Sequence, residues 1–181
     1  MILTGTEIEK EVKALKITIT PFNLKKLNPN SYNFSLGDQL LVYQNEVLDC
    51  QKENPTQIIK IPDEGIWLEP HKLYLGHTLE TMGSNHYVPI IRGRSSTGRL
   101  GLFINITADL IDIGSINQWT LQLHAVQPLK IYKGMEIGQV TFWKTQGTIE
   151  LYKGKYQGSL GPRASELFKD FKVGPHDPNK P

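Results

Sequence analysis

Between Trp119 and Ala125 the sequence alternates without a break. Trp119, Leu121, Leu123 and Ala125 are apolar, while Thr120, Gln122 and His124 are polar. A two-residue period sends the two sets to opposite faces of an extended chain. This stretch therefore predicts a strand with one buried face and one polar face. Similar short stretches recur at residues 58–61, 66–68, 72–80, 87–93, 100–107, 129–131, 137–143 and 148–152, and residues 31–43 read as a loop leading into a strand. The turns Asn28-Pro29-Asn30, Pro62-Asp63-Glu64-Gly65 and Lys133-Gly134 separate them. Helix is scarce. Thr4-Gly5-Thr6-Glu7 has the spacing of a capping box and predicts a short helix through about Val12, with Ile8 and Val12 on one face. Many short strands with little helix indicate a mainly β fold, an antiparallel barrel or sandwich.

The chain has 181 residues, enough for one domain with its own core. We place that domain at residues 1–171. Residues 152–171 form a mobile lid and a final helix capped by Ser165, and residues 172–181, rich in proline, form a disordered tail. The net charge of +2 offers no broad basic field for nucleic acid. There is no apolar stretch long enough to span a bilayer and no signal core at the N-terminus, so the expectation is a soluble, cytoplasmic protein with no membrane partner. No internal 20–50-residue repeat and no dinucleotide or P-loop fingerprint is present. Cys50 is the one cysteine. It cannot form a disulfide within the chain, and it cannot supply the Cys/His set of a zinc site. His71 and His77 lack partners at ligand spacing, so no metal site is expected.

Chemistry concentrates in three stretches. Arg94-Ser95-Ser96-Thr97-Gly98-Arg99-Leu100-Gly101 combines guanidinium forks, hydroxyl donors and glycine, a set suited to phosphate oxygens and equally to a basic turn between strands. Thr107-Ala108-Asp109-Leu110-Ile111-Asp112-Ile113-Gly114 puts a carboxylate at a strand-to-turn transition. Lys153-Gly154-Lys155-Tyr156-Gln157-Gly158 joins cations, an aromatic ring and glycines. It reads as a plain flexible tail or as a lid over a phosphorylated ligand.

Together these stretches resemble the dCTP deaminase/trimeric dUTPase superfamily, and the dCTP deaminase family in particular. The likeness runs from about Asn28 to Phe171. It implies a jelly-roll-like β-barrel assembled as a homotrimer, with sites between subunits for a deoxypyrimidine triphosphate, dCTP or dUTP. It implies that Arg94, Ser95, Ser96 and Arg99 face the nucleotide from one chain, and Asp112 and residue 122 from its neighbour. Thr107 and Ala108 match the base end of the site. Asp112 lies by the sugar and, in the dUTPase branch, orients the attacking water. Lys155, Tyr156 and Gln157, with Tyr152 beside them, match the segment that closes over the triphosphate. Mg²⁺ would enter with the nucleotide.

The sequence departs from the family at several places. Many relatives carry an acidic residue where Asn33 stands and a basic one where Ser35 stands. Ser115-Ile116-Asn117-Gln118 replaces a turn that usually contains an aromatic residue. Above all, Gln122 stands where dCTP deaminases carry the Glu that shuttles protons. Catalytic candidates are therefore Gln122, Asp112, Ser95 and Arg99, with His124 on the same strand face as a conceivable stand-in. The family implies dCTP deamination, with dUTP cleavage to dUMP and pyrophosphate as an optional second reaction. Gln122 leaves open a dUTPase-type pyrophosphatase or a non-catalytic nucleotide sensor.

Overall fold

The computed structural model describes residues 1–172. The tail assigned to 172–181 lies, from residue 173 on, outside the described residues. Helix α1 spans Gly5–Lys13, and Thr4 caps it by accepting from the Glu7 N–H at 3.4 Å. The reciprocal half of the capping box does not form, because Glu7 pairs with Lys10 instead. Ile8 is fully buried, and Val12 packs on the core beside it.

Thirteen strands follow: β1 Ile17–Thr20, β2 Leu27–Asn28, β3 Ser31–Ser35, β4 Gln39–Tyr43, β5 Thr56–Lys60, β6 Ile66–Leu68, β7 Tyr74–His77, β8 Thr81–Ser84, β9 Tyr87–Gly93, β10 Leu102–Phe103, β11 Thr120–Ala125, β12 Leu129–Ile131 and β13 Glu136–Lys144. Among the described residues two further α-helices, α2 at Ser95–Arg99 and α3 at Phe168–Lys172, are little more than one turn each, and Leu24–Lys26 forms a 3-10 turn. All strand pairs are antiparallel. A five-stranded sheet runs β10-β11-β7-β4-β5 and a four-stranded sheet runs β2-β3-β13-β9, with ribbons β1-β8 and β12-β6 beside them. One core joins the sheets: Leu40, Leu121 and Leu123 from the first pack in the same cluster as Phe34, Ile91, Val140 and Phe142 from the second. The mainly β expectation holds.

Three local expectations need correction. The stretch after Arg94 is one helical turn, not a plain loop; Thr97 anchors it, its hydroxyl donating to the Arg94 carbonyl at 2.8 Å. Residues 148–152 form no strand. Ile149 and Leu151 alternate, but no neighbouring strand is there to pair them, and the one ladder-like bond is Tyr152 N–H to the Ile113 carbonyl at 2.8 Å. Within 100–107 only Leu102 and Phe103 pair, with Ala125 and His124.

Candidate functional site

Strand β11 shows the expected alternation. Trp119, Leu121, Leu123 and Ala125 are buried, and Thr120, Gln122 and His124 stand partly exposed. Burying large apolar side chains at every second position stabilises the strand by about 1.5–3 kcal/mol each, so a one-residue slip in register is strongly disfavoured. That register turns Gln122 outward, opposite Leu75 of β7.

A cavity of about 630 Å³ lies along this polar face. Its walls come from the 106–112 segment, from β11 with Leu75 and Tyr43 behind it, and from the tail between Tyr152 and Ser165. Of the residues singled out by sequence, Thr107, Ala108, Asp112, Gln122, Tyr152 and Tyr156 line it. Asp112 is exposed, and its carboxylate has no hydrogen bond or ion pair among the described residues. Gln122 is tied at one end: its Oε1 accepts from the Ile106 N–H at 3.0 Å, and its own N–H donates to the Ile104 carbonyl at 2.9 Å.

The turn after Asp112 is held tightly. Gly114 has φ +91°, and a Cβ there would sit 2.9 Å from the Tyr152 nitrogen. Only glycine takes that backbone conformation and that approach without strain. The gain is a tail laid close against the turn, with Gln157 Nε2 donating to the Gly114 carbonyl at 2.9 Å.

Lys155 and Gln157 do not line the cavity. Lys155 forms an ion pair with Asp170 at 2.8 Å, and that hydrogen bond holds its ammonium above the usual lysine range. Its ammonium also lies 5.9 Å from the Tyr156 ring. Arg94, Ser95, Ser96 and Arg99 lie apart from the cavity in this chain. Arg94 is held by Glu136, through the carboxylate at 3.1 Å and the carbonyl at 3.2 Å. Ser95, Ser96 and Arg99 are exposed on α2, and Arg99 has no ion pair among the described residues. His124 packs against the Phe103 ring and does not line the cavity. Cys50 is exposed and does not line the cavity either.

Sequence reasoning missed how the tail is gripped. The N–H of Ser159 donates to Asn117 Oδ1 at 3.1 Å, that of Gly161 to Gln118 Oε1 at 2.7 Å, that of Arg163 to Thr120 Oγ1 at 3.0 Å, and that of Ser165 to the Tyr43 hydroxyl at 3.0 Å. The signal was present in the departure at 115–118, where two amides replace an aromatic-containing turn. Arg163, also missed, lines the cavity.

An antiparallel β fold with a carboxylate and an amide on one cavity wall, roofed by its own C-terminal segment, has the concave form that small-molecule sites take. Comparison with known proteins gives that class a family. The sequence model of the dCTP deaminase-like family matches residues 2–145, and the chain belongs to that family. It is 52% identical over 172 residues to the dCTP deaminase, dUMP-forming, of Clostridium beijerinckii, covering 94% of this chain and 99% of that one. It is 48% identical over the same length to the protein of that name from Leptospira biflexa, covering 98% of it. The 2'-deoxycytidine 5'-triphosphate deaminase of Agrobacterium tumefaciens shares the fold, with a TM-score of 0.62 at 18% identity. That match spans 78% of this chain and 47% of the Agrobacterium chain.

Proposed function

We propose that this protein is a deoxypyrimidine triphosphate hydrolase that keeps the pyrophosphate-releasing step and deaminates poorly. The observation that carries this reading is Gln122 Oε1 bound to the Ile106 N–H. Deamination adds water at C4 and expels ammonia, so one group must take a proton and return it. A carboxylate can do this; an amide cannot near neutral pH, and here its oxygen is already engaged. Losing such help costs roughly 10²–10⁴ in rate. His124 does not face the cavity to take over.

Cleavage of dUTP to dUMP asks less of residue 122. Asp112, free in the cavity wall, would orient a water and accept its proton as the oxygen attacks the α-phosphorus. The bridging bond to the β-phosphate breaks and pyrophosphate leaves. In a homotrimer with sites between subunits, α2 of one protomer brings Ser95, Ser96 and Arg99 to the phosphates beside the neighbour's Asp112. The exposure of α2 supports this arrangement, and the Glu136 pairing gives Arg94 the role of fixing the turn. Tyr156 lines the cavity from the tail, and Lys155 and Gln157 reach the triphosphate only once Lys155 leaves Asp170 and Gln157 leaves the Gly114 carbonyl. Among the described residues no three His, Cys, Asp or Glu side chains cluster as a metal cage. A Mg²⁺ would come in on the triphosphate and neutralise phosphate charge there.

The test is incubation with dCTP and with dUTP, each with Mg²⁺, measuring ammonia, pyrophosphate and binding. Pyrophosphate from dUTP with little ammonia from dCTP is expected, and Gln122→Glu should raise ammonia release. Fast ammonia release unaffected by Gln122→Glu, or tight binding of both nucleotides without any product, would overturn the reading.

A further inference from the structure

The carboxamide of Gln122 has two ends, and the fold has committed one of them. Turning it over would set Nε2 against the Ile106 N–H, donor facing donor, and leave that backbone group without its acceptor. The orientation is therefore fixed by a main-chain amide, not by any ligand. Nε2 makes no hydrogen bond with another described residue, and it is not among the buried polar atoms that lack a partner. In a residue that lines the cavity, it is a donor open to whatever enters.

We infer that Gln122 selects the base, favouring pyrimidines with an oxygen at C4 over those with an amino group there. This rests on the reading above that a pyrimidine triphosphate occupies the cavity, and adds that its C4 edge lies against residue 122. Uracil and thymine present a carbonyl oxygen at C4, which accepts from Nε2. Cytosine presents an NH₂, so two donors face each other and one loses its water without gaining a partner. A glutamate in the same place, tied to Ile106 N–H through one oxygen, would offer an acceptor on the other and suit the amino group. Exchanging one atom thus reverses the polarity that the base meets. Cytosine retains its N3 acceptor, so the preference is finite, about tenfold or more by the worth of one such hydrogen bond in a partly desolvated site.

The experiment uses the α,β-imido analogues of dUTP and dCTP with Mg²⁺, which block cleavage at the α-phosphorus, and titration calorimetry on the full chain. Because the imido link leaves deamination possible, ammonia is measured in every titration and affinities for the dCTP analogue are taken from samples that have released none. The wild-type protein should bind the dUTP analogue at least about tenfold more tightly. Gln122→Glu, nearly isosteric, should erase or reverse the ratio, with an unchanged melting temperature showing that the fold is intact. Binding of both analogues with no preference, or a preference that Gln122→Glu leaves unmoved, overturns the inference while sparing the nucleotide reading. No binding of either analogue overturns both.

Discussion

The Asn33 carboxamide donates to Glu136 Oε2 at 2.9 Å, inside a chain of contacts from Asn28 through Asn33 and Glu136 to Arg94. Neutrality at residue 33 follows from that neighbour. Glu136 already supplies the negative charge that holds Arg94, and a second carboxylate at hydrogen-bond distance would repel it. Asn33→Asp is expected to destabilise the fold by about 2 kcal/mol near neutral pH, through a lost charged hydrogen bond and like-charge contact. The deficit should shrink at acid pH, where one of the two carboxyls takes up a proton. Adding Glu136→Gln should return part of the stability. Chemical denaturation of the three variants checks this; equal stability of Asn33→Asp and wild type would refute it.

Ser35, the other altered position of that loop, is explained in the same way. Lys26 Nζ reaches it at 2.7 Å while pairing with Glu80 at 2.6 Å, so the cation comes from a neighbouring turn. Glu80 is fully buried, and its second oxygen accepts the Ser35 N–H at 2.9 Å. Glu80→Ala would strand Lys26 in a mostly buried site and leave that N–H unpaired, costing about 3–5 kcal/mol. Lys26→Met with Glu80→Met should recover most of it. A double-mutant cycle on the denaturation midpoint reads the coupling, and simple additivity of the two single losses would show that the pair does not act as a unit.

Much of this fold was legible because its strands advertise a buried face. The alternation at 119–125 gave β11, its inward set and the outward position of Gln122 together. β1 and β8 were not legible: they pair with each other across more than sixty residues, and Thr81–Ser84 offers Met82 as its one large apolar side chain. The converse holds at 148–152, where alternation without a neighbour made no strand. At the site, residue types were readable and bonds were not. Gln122 is held by a backbone amide, and the tail is held through its own backbone amides, which carry no mark in a sequence even where the side chains that accept from them do.

A buried pair sets the pH limits of the N-terminal packing. Tyr87 donates its hydroxyl to Glu11 Oε2 at 2.8 Å, and Glu11 is only 4% exposed. That hydrogen bond first, then Lys16, hold the Glu11 carboxyl below its ordinary value of 4.5, while burial first, then Glu11, push Tyr87 up to about 12. Glu11 therefore adds stability that is present above pH 4.5 and lost as pH falls through its lowered value. Tyr87 adds stability that is present below pH 10 and lost between there and about 12. Tyr87→Phe should cost about 1.5–3 kcal/mol at neutral pH. It should also flatten both limbs of the stability–pH curve. Curves of the same shape for variant and wild type would rule this out.

The grip on the tail makes the roof of the cavity separable from the strand beneath it. Gln118 and Thr120 accept the N–H groups of Gly161 and Arg163 through their side chains, so those acceptors can be removed while β11 keeps its ladder to β7. Gln118→Ala with Thr120→Val deletes the two hydrogen bonds to the tail, worth about 1 kcal/mol each, together with the bond from Gln118 Nε2 to the Leu79 carbonyl beneath it. Opening of residues 159–165 should become roughly thirtyfold more frequent, since about 1.4 kcal/mol is tenfold. Hydrogen exchange should speed up at the amides of 161 and 163, while those of Leu121 and Leu123 keep their protection. If a nucleotide needs the roof lifted to enter, association should quicken in the same variant and dissociation should quicken with it. Unchanged exchange at 161 and 163 would mean that contacts elsewhere, such as Gln157 on Gly114, hold the tail in place.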